Sequence, residues 1–410
     1  DPEAYCQEAF RLGQELWDDA ISDTKGRPEW LGIDVGADGE SFHFGLIGNS
    51  LYSGGSGNAL LFARLALASA GETAELWRTR AWSCFESLAE LAGRNSNDQL
   101  FRLMRDQPFG ITGSGGILLA LQLLRRSGLQ DASSLAELLI EQLRPERLLA
   151  DEGVDVIGGV CGLIGPLLLA GTPKAQELAV ICGERLLTLQ LANGGWPAGL
   201  PSSGKPPLTG FSHGAAGMAA ALARLSQVSG EERFAKGALQ AVGYERSVFD
   251  GERGNWPDFR TSSEPSEFML SWCHGAPGIL LSRWILVAAA MADEQTAAEQ
   301  QSARASTLIS LEQLSSRVSE APAHLCCGVL GLTSLLRIDA QASGQELAAP
   351  VAAAESAVIH QARTSGSYTH FSVDNGSLNL PGLYTGKAGV ALALLEAVDR
   401  QVWLPVVLNA

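Results

Sequence analysis

The sequence predicts an all-α protein folded as a closed α/α toroid, a double ring of about seven inner and seven outer helices. Three observations predict it. A GxxG element recurs seven times, an apolar run follows each glycine pair at once, and a more amphipathic stretch separates each run from the next pair.

The glycine pairs are Gly54/Gly57, Gly113/Gly116, Gly159/Gly162, Gly214/Gly217, Gly275/Gly278, Gly328/Gly331 and Gly386/Gly389. Steps of 59, 46, 55, 61, 53 and 58 residues between first glycines each leave room for two helices and their connections. The unit is therefore a helical hairpin. Runs such as Asn58 to Leu65 and Met218 to Leu225 are helix formers, apolar on nearly every face, and belong in an inner ring. Stretches such as Leu135 to Leu143 and Ala297 to Ala305 are more amphipathic and suit an outer ring. An open solenoid would need polar capping repeats at its ends, but the last unit, Pro381 to Ala393, is as apolar as the middle ones. Closure follows. Glycines at the inner helix starts let backbones approach at the ring's mouth and leave unpaired N–H groups facing it. Two short β-like stretches, Ser41 to Phe44 and Ser367 to Ser372, read as loop or small hairpin. The Pro- and Gly-rich segments Asn193 to Pro207 and Asp250 to Pro265 read as long connections overhanging the mouth.

Composition narrows the function. The 410 residues carry 29 Lys and Arg against 45 Asp and Glu, a net charge of −16. Binding to phosphate backbones or anionic lipid depends on a cationic excess, so neither nucleic acid nor membrane is an expected partner. At 46% hydrophobic and 18% charged the chain is far from the composition of disorder. Its longest apolar stretch, Ile279 to Ala292, is interrupted by Arg283 and is too short for a span of about 20 residues. Asp1-Pro2-Glu3 shows neither an initiator Met nor a secretory signal, as expected of one excised domain over 1–410, with 1–45 as lead-in and 46–410 as repeats. Seven cysteines, an odd number without a signal, disfavour a disulfide framework and fit a cytoplasmic location. Cys6, Cys84, Cys161 and Cys182 sit among apolar neighbours and read as small buried hydrophobes.

Aligning the units on their first glycine produces a map. The preceding residue is Ser53, Thr112, Gly158, His213, His274, Cys327 and Thr385, and one place further back units five and six carry Cys273 and Cys326. Metal-type residues thus fall in successive units four, five and six. Cys273, Cys326 and Cys327 supply three ligands for Zn²⁺, with a fourth position open for substrate. Successive side chains diverge by about 100° on a helix, so Cys326 and Cys327 need the non-helical lead into Gly328 to converge. His213 and His274 are candidate catalytic residues. Asp155, an acid among Val, Ile and Gly in unit three, is placed either to orient His213 of the next unit or to cap its own helix. His43, His324, His360 and His370 lack such registration and read as structural or surface residues.

The runs Ser271 to Ile279, Leu325-Cys326-Cys327-Gly328 and Phe211 to Gly217 closely resemble lanthionine synthetase C-like cyclases over nearly the whole chain. Glu29 to Gly32 and Leu51 to Gly54 resemble the start of the cyclase domain in class II lanthipeptide synthetases, the LanM type. The resemblance implies a toroid, zinc on Cys273, Cys326 and Cys327, and acid/base roles for Asp155 and His213. It implies addition of a peptide cysteine to dehydroalanine or dehydrobutyrine, giving a lanthionine or methyllanthionine thioether. Its implied partners are a dehydrated precursor peptide with its leader and an N-terminal dehydratase domain of the same synthetase. Cys327 stands where most members carry His, a three-Cys pattern similar to a subgroup known from marine cyanobacteria that cyclises many precursors. Some members have Arg where this chain has Met269; Arg260 or Arg253 could substitute from the preceding loop. Two other readings are a zinc-dependent prenyltransferase-like toroid, for which Gln190 to Trp196 is a single weak repeat, and a non-catalytic peptide- or glutathione-binding module whose zinc is sealed by a fourth thiol such as Cys161.

Overall fold

In the computed structural model, residues 2–35, 42–93, 97–198, 205–260, 267–373 and 376–398 are described. Helix α1 (Pro2–Asp18) precedes two small hairpins, β1 (Ile21–Ser22) with β2 (Pro28–Glu29) and β3 (Leu31–Val35) with β4 (Phe42–Leu46). Then follow α2 (Gly55–Leu67), α3 (Gly71–Ser83), α4 (Glu86–Gly93), α5 (Asn97–Arg105), α6 (Ser114–Arg126), α7 (Asp131–Ile140), α8 (Pro145–Leu149), α9 (Cys161–Ala170) and α10 (Pro173–Leu189). The second half holds α11 (Ala215–Ser229), α12 (Glu232–Ser247), α13 (Ala276–Ala288), α14 (Glu294–Ser315), α15 (Val329–Ser343) and α16 (Ala349–Ser365). Hairpin β5 (Phe371–Val373) and β6 (Gly376–Leu378) leads into α17 (Lys387–Val398). The β-like stretches expected as small hairpins form the second and third of these. Parts of the two long connections, residues 199–204 and 261–266, lie outside the described residues.

Each glycine pair opens an inner helix. Contacts run α2 to α6, α6 to α9, α9 to α11, α11 to α13, α13 to α15, α15 to α17 and α17 back to α2, so the inner ring closes. These helices are buried on nearly all sides, as their all-round apolarity requires; every residue of α2 from Gly55 to Ala66 is buried. On the outside α3, α7, α10, α12, α14 and α16 pack on α2, α6, α9, α11, α13 and α15. The seventh outer place is taken by α1, which packs on α17. Tyr368 donates a hydrogen bond to Glu8 Oε1 at 2.8 Å, and Lys387 Nζ meets Asp19 Oδ2 at 2.6 Å.

Local chemistry sets the helix ends. Thr172 caps α10 with Pro173 in its first turn, and Asp293 with Thr296 forms a capping box on α14. The second glycine of each pair lets the helix pass close to its own leading turn: a Cβ at Gly331 would collide with the carbonyl of Leu325. Gly275 has φ +81°, the left-handed region that a side chain strains. Buried ion pairs join the layers. Arg283 and Glu245, both fully buried, meet at 2.9 Å between α13 and α12, and Arg64 meets Glu396 at 2.7 Å across the closing seam of α2 and α17. Such pairs are weak sources of stability and fix which helix faces meet.

Candidate active site

The turns that lead into the inner helices all lie at one end of the ring, and backbone hydrogen bonds tie them side to side. Leu51 N–H donates to Ile111, Ile111 to Val156 and Val156 to Ser212, each at 3.1 Å, and Phe211 to Cys273 at 3.1 Å. In the other direction Tyr384 donates to Tyr52 and Cys326 to Tyr384, both at 2.9 Å. The remaining seam lies between the leading turns of α13 and α15, and there thiol meets thiol.

The Cys326 thiol is in hydrogen-bonding contact with both Cys273 and Cys327. Cys273 and Cys326 are each 8% exposed, and Cys327 is half-buried. Contact with Cys273 and Cys327, then burial, push the Cys326 thiol well up; the hydrogen bond from Cys326 holds Cys327 down at about 4. Gly328, with extended backbone at the start of α15, supplies the non-helical lead that lets adjacent cysteines share a site. Among the described residues no group of three or more His, Cys, Asp or Glu side chains is already drawn into metal-binding geometry. Three sulfurs from two adjoining units are a donor set whose chemistry fits Zn²⁺. Cys161 lies elsewhere, fully buried at the start of α9, with Asp155 and Cys182 as its electrostatic neighbours.

Beside the thiols, the imidazoles of His213 and His274 stack with centroids 5.9 Å apart and planes inclined by 22°. His213 Nδ1 lies 2.6 Å from Asp155 Oδ2, and its side chain is 37% exposed. Asp155 takes the orienting place beside His213 and does not cap its helix: its other oxygen accepts the Gly158 N–H at 2.7 Å and the Gly159 N–H at 3.3 Å in the turn before α9, whose N-cap, Val160, has no side-chain cap. With Nδ1 engaged by a carboxylate, Nε2 is the His213 nitrogen left to face the mouth. The preceding residue, Val154, has φ +27°, a strained backbone for a β-branched side chain. His274 is almost wholly buried, and burial, followed by the Arg260 charge, lowers it to about 3, so it is a neutral imidazole.

Sequence reasoning missed two neighbours of the thiols. Tyr52, before α2, donates its hydroxyl to Cys326 Sγ at 3.1 Å and stacks on Tyr384 with centroids 4.9 Å apart. His324 was read as structural or surface; it is buried with Nε2 at 3.9 Å from Cys327 Sγ. Its spacing, three residues ahead of Cys327 in a tight turn, was the available signal. Of the two arginines weighed for the Met269 position, Arg260 stands there. It forks onto Asp258, reaches Met269 Sδ at 2.8 Å, and places its charge next to Cys273 and Cys326. Arg253 instead lies over the Phe268 ring.

Nisin cyclase shares this architecture, aligning at a TM-score of 0.63 with 18% identity, over 88% of this chain and 92% of that one. The GH76 α-mannanase of Bacteroides thetaiotaomicron aligns at 0.49 with 10% identity, over 98% and 97%, and a D-mannose isomerase at 0.45 with 14%, over 75% and 85%. No curated protein matches the chain. The family model described as lanthionine synthetase C-like protein matches residues 46–408, the whole run of glycine-led hairpins, and the chain belongs to that family.

Proposed function

We propose that the chain is a zinc-dependent cyclase that adds a peptide cysteine thiol to dehydroalanine or dehydrobutyrine, closing lanthionine or methyllanthionine rings in a ribosomally made precursor. One observation carries the reading: three thiols from adjoining units meet beside an Asp155–His213 pair at the mouth of the ring. Cys273, Cys326 and Cys327 would hold the metal. Bound there, Zn²⁺ would supply what a free thiol of pKa about 8.5 lacks, a thiolate at neutral pH.

The chain's own residues account for the proton. Addition of sulfur at the β-carbon leaves an enolate that must be protonated at Cα. His213 is the donor: its Nδ1 is held by Asp155, which fixes the orientation of the ring, while Nε2 carries the proton to be delivered. His274, stacked on His213 and buried, keeps that ring in plane. Three protein thiolates leave more negative charge on the centre than a site with His in place of Cys327, which favours a reactive and less discriminating enzyme. The leader-bearing peptide, a dehydratase partner and a cytoplasmic setting belong to the same proposal. No helix among the described residues is long and apolar enough to cross a membrane.

The test is incubation of the zinc-loaded chain with a dehydrated, cysteine-containing peptide, followed by thiol alkylation and mass spectrometry. Loss of alkylatable thiol without a change in peptide mass supports cyclisation. Full thiol retention beside an active control cyclase refutes it.

A further inference from the structure

Each of the three thiols has its own side-chain donor, and the three donors come from different places. Tyr52 Oη lies 3.1 Å from Cys326 Sγ, having crossed from the turn before α2. Ser271 Oγ lies 3.1 Å from Cys273 Sγ, accepts the His274 N–H at 3.3 Å and has the His274 carbonyl at 3.4 Å; of the two acceptors open to its hydroxyl hydrogen the sulfur is the nearer and, as a thiolate, the charged one. His324 Nδ1 faces the Cys327 N–H at 3.5 Å, so Nε2, the nitrogen 3.9 Å from Cys327 Sγ, bears the proton. Ser271 and His324 are buried. Tyr52 is held flat against Tyr384, whose ring in turn packs on Trp272 at 4.8 Å.

A site with three anionic sulfurs of its own faces a problem of selectivity. The electrophile meant for the substrate thiolate is also open to attack by Cys273, Cys326 or Cys327. Such an attack would join protein sulfur to the dehydroalanine β-carbon, place a proton on Cα and lose nothing, so the enzyme would carry the whole electrophile as a dead-end adduct.

We propose that Tyr52, Ser271 and His324 are positioning residues that hydrogen-bond the protein's three thiolates one to one and so withhold those sulfurs from the electrophile. A hydrogen bond draws density from a thiolate lone pair and lowers its nucleophilicity, and bonds to an ionised acceptor are the strong ones. A thiol arriving on a substrate finds all three donors already engaged, and it is the one sulfur left undamped. The inference rests on the zinc-cyclase reading and concerns which sulfur reacts.

The probe is a small dehydroalanine amide without any thiol, given to zinc-loaded wild type, Tyr52→Phe and Ser271→Ala. Adducts are located by proteolysis and mass spectrometry. Parallel cobalt-loaded samples report the sulfur-to-metal charge-transfer band. Expected are wild-type metal stoichiometry, alkylation on the order of 10-fold faster at Cys326 in Tyr52→Phe and at Cys273 in Ser271→Ala, and a band moved to longer wavelength in both. A merely structural role would not send each variant's adduct to its own cysteine. Equal adduct rates and an unmoved band in metal-loaded variants overturn this inference and leave the cyclase reading standing. Wild type that takes up neither metal overturns both. Should Tyr52→Phe fail to fold, Ser271→Ala, which removes one oxygen, decides alone.

Discussion

Asp155 Oδ2 and His213 Nδ1 stand 2.6 Å apart, although 58 residues separate them in the chain. The contact crosses the seam between units three and four, and it engages one imidazole nitrogen and leaves the other. Asp155→Asn removes the carboxylate that orients the His213 ring, and turnover is expected to fall about 10²- to 10⁴-fold. His213→Asn should do the same. Both should keep a full complement of zinc, which metal analysis beside single-turnover assays will check.

Cys327→Ala separates ligand from acid/base chemistry in the opposite sense. Removing one of three sulfurs should lower bound zinc and cyclisation together, whatever the pH. Chelator treatment of wild type should abolish activity, with recovery on adding Zn²⁺ back. Retained stoichiometric zinc in Cys327→Ala would show that a different group holds it.

Two glycine substitutions should move stability in opposite directions. At Gly331 a methyl group collides with the Leu325 backbone, which has no side-chain end to yield, so Gly331→Ala should cost about 1–3 kcal/mol. Gly243 lies on the exposed side of α12 with open space around its Cβ position. Gly243→Ala should add about 0.5–1 kcal/mol. Urea unfolding of the metal-free chain measures both.

His370 makes the metal-free fold sensitive to acid. The ring is fully buried, with Nδ1 accepting the Leu380 N–H at 2.9 Å, and burial, then the charges of His324 and Lys387, lower it to about 3. An unfolded His titrates near 6.5, so below that value the unfolded chain binds a proton that the folded chain refuses. Stability from this residue is complete above about pH 6.5 and declines as pH falls towards 3. Thermal melts across that window should fall less steeply for His370→Gln than for wild type.

What the sequence disclosed and what it hid divide along a physical line. The ring was legible because one device repeats and its runs are apolar on every face, and Cys273, Cys326, Cys327 and His213 were legible because they share a register within it. Tyr52 was not, since it reaches Cys326 only when α17 closes onto α2 and brings unit one near unit six. Arg260 depends on the path of a loop, which no periodicity encodes. His324 was set aside for want of registration; its approach to Cys327 arises inside a single turn, at a scale finer than the repeat. His370, grouped with it, is the structural histidine that was expected.

The seventh outer helix has a consequence for how the chain is made. Because α1 rests on α17, the contact between Asp19 and Lys387 spans 368 positions, and the hairpin that completes the circle is built from the first and last helices described. While the polypeptide leaves the ribosome, the early units can form only an unfinished crescent, and α1 waits with its apolar side uncovered until α17 has emerged. Maturation of the mouth is therefore a late and all-or-none event: six hairpins can stack in succession, but the thiol-bearing sector gains its Tyr52 neighbour only when the circle shuts.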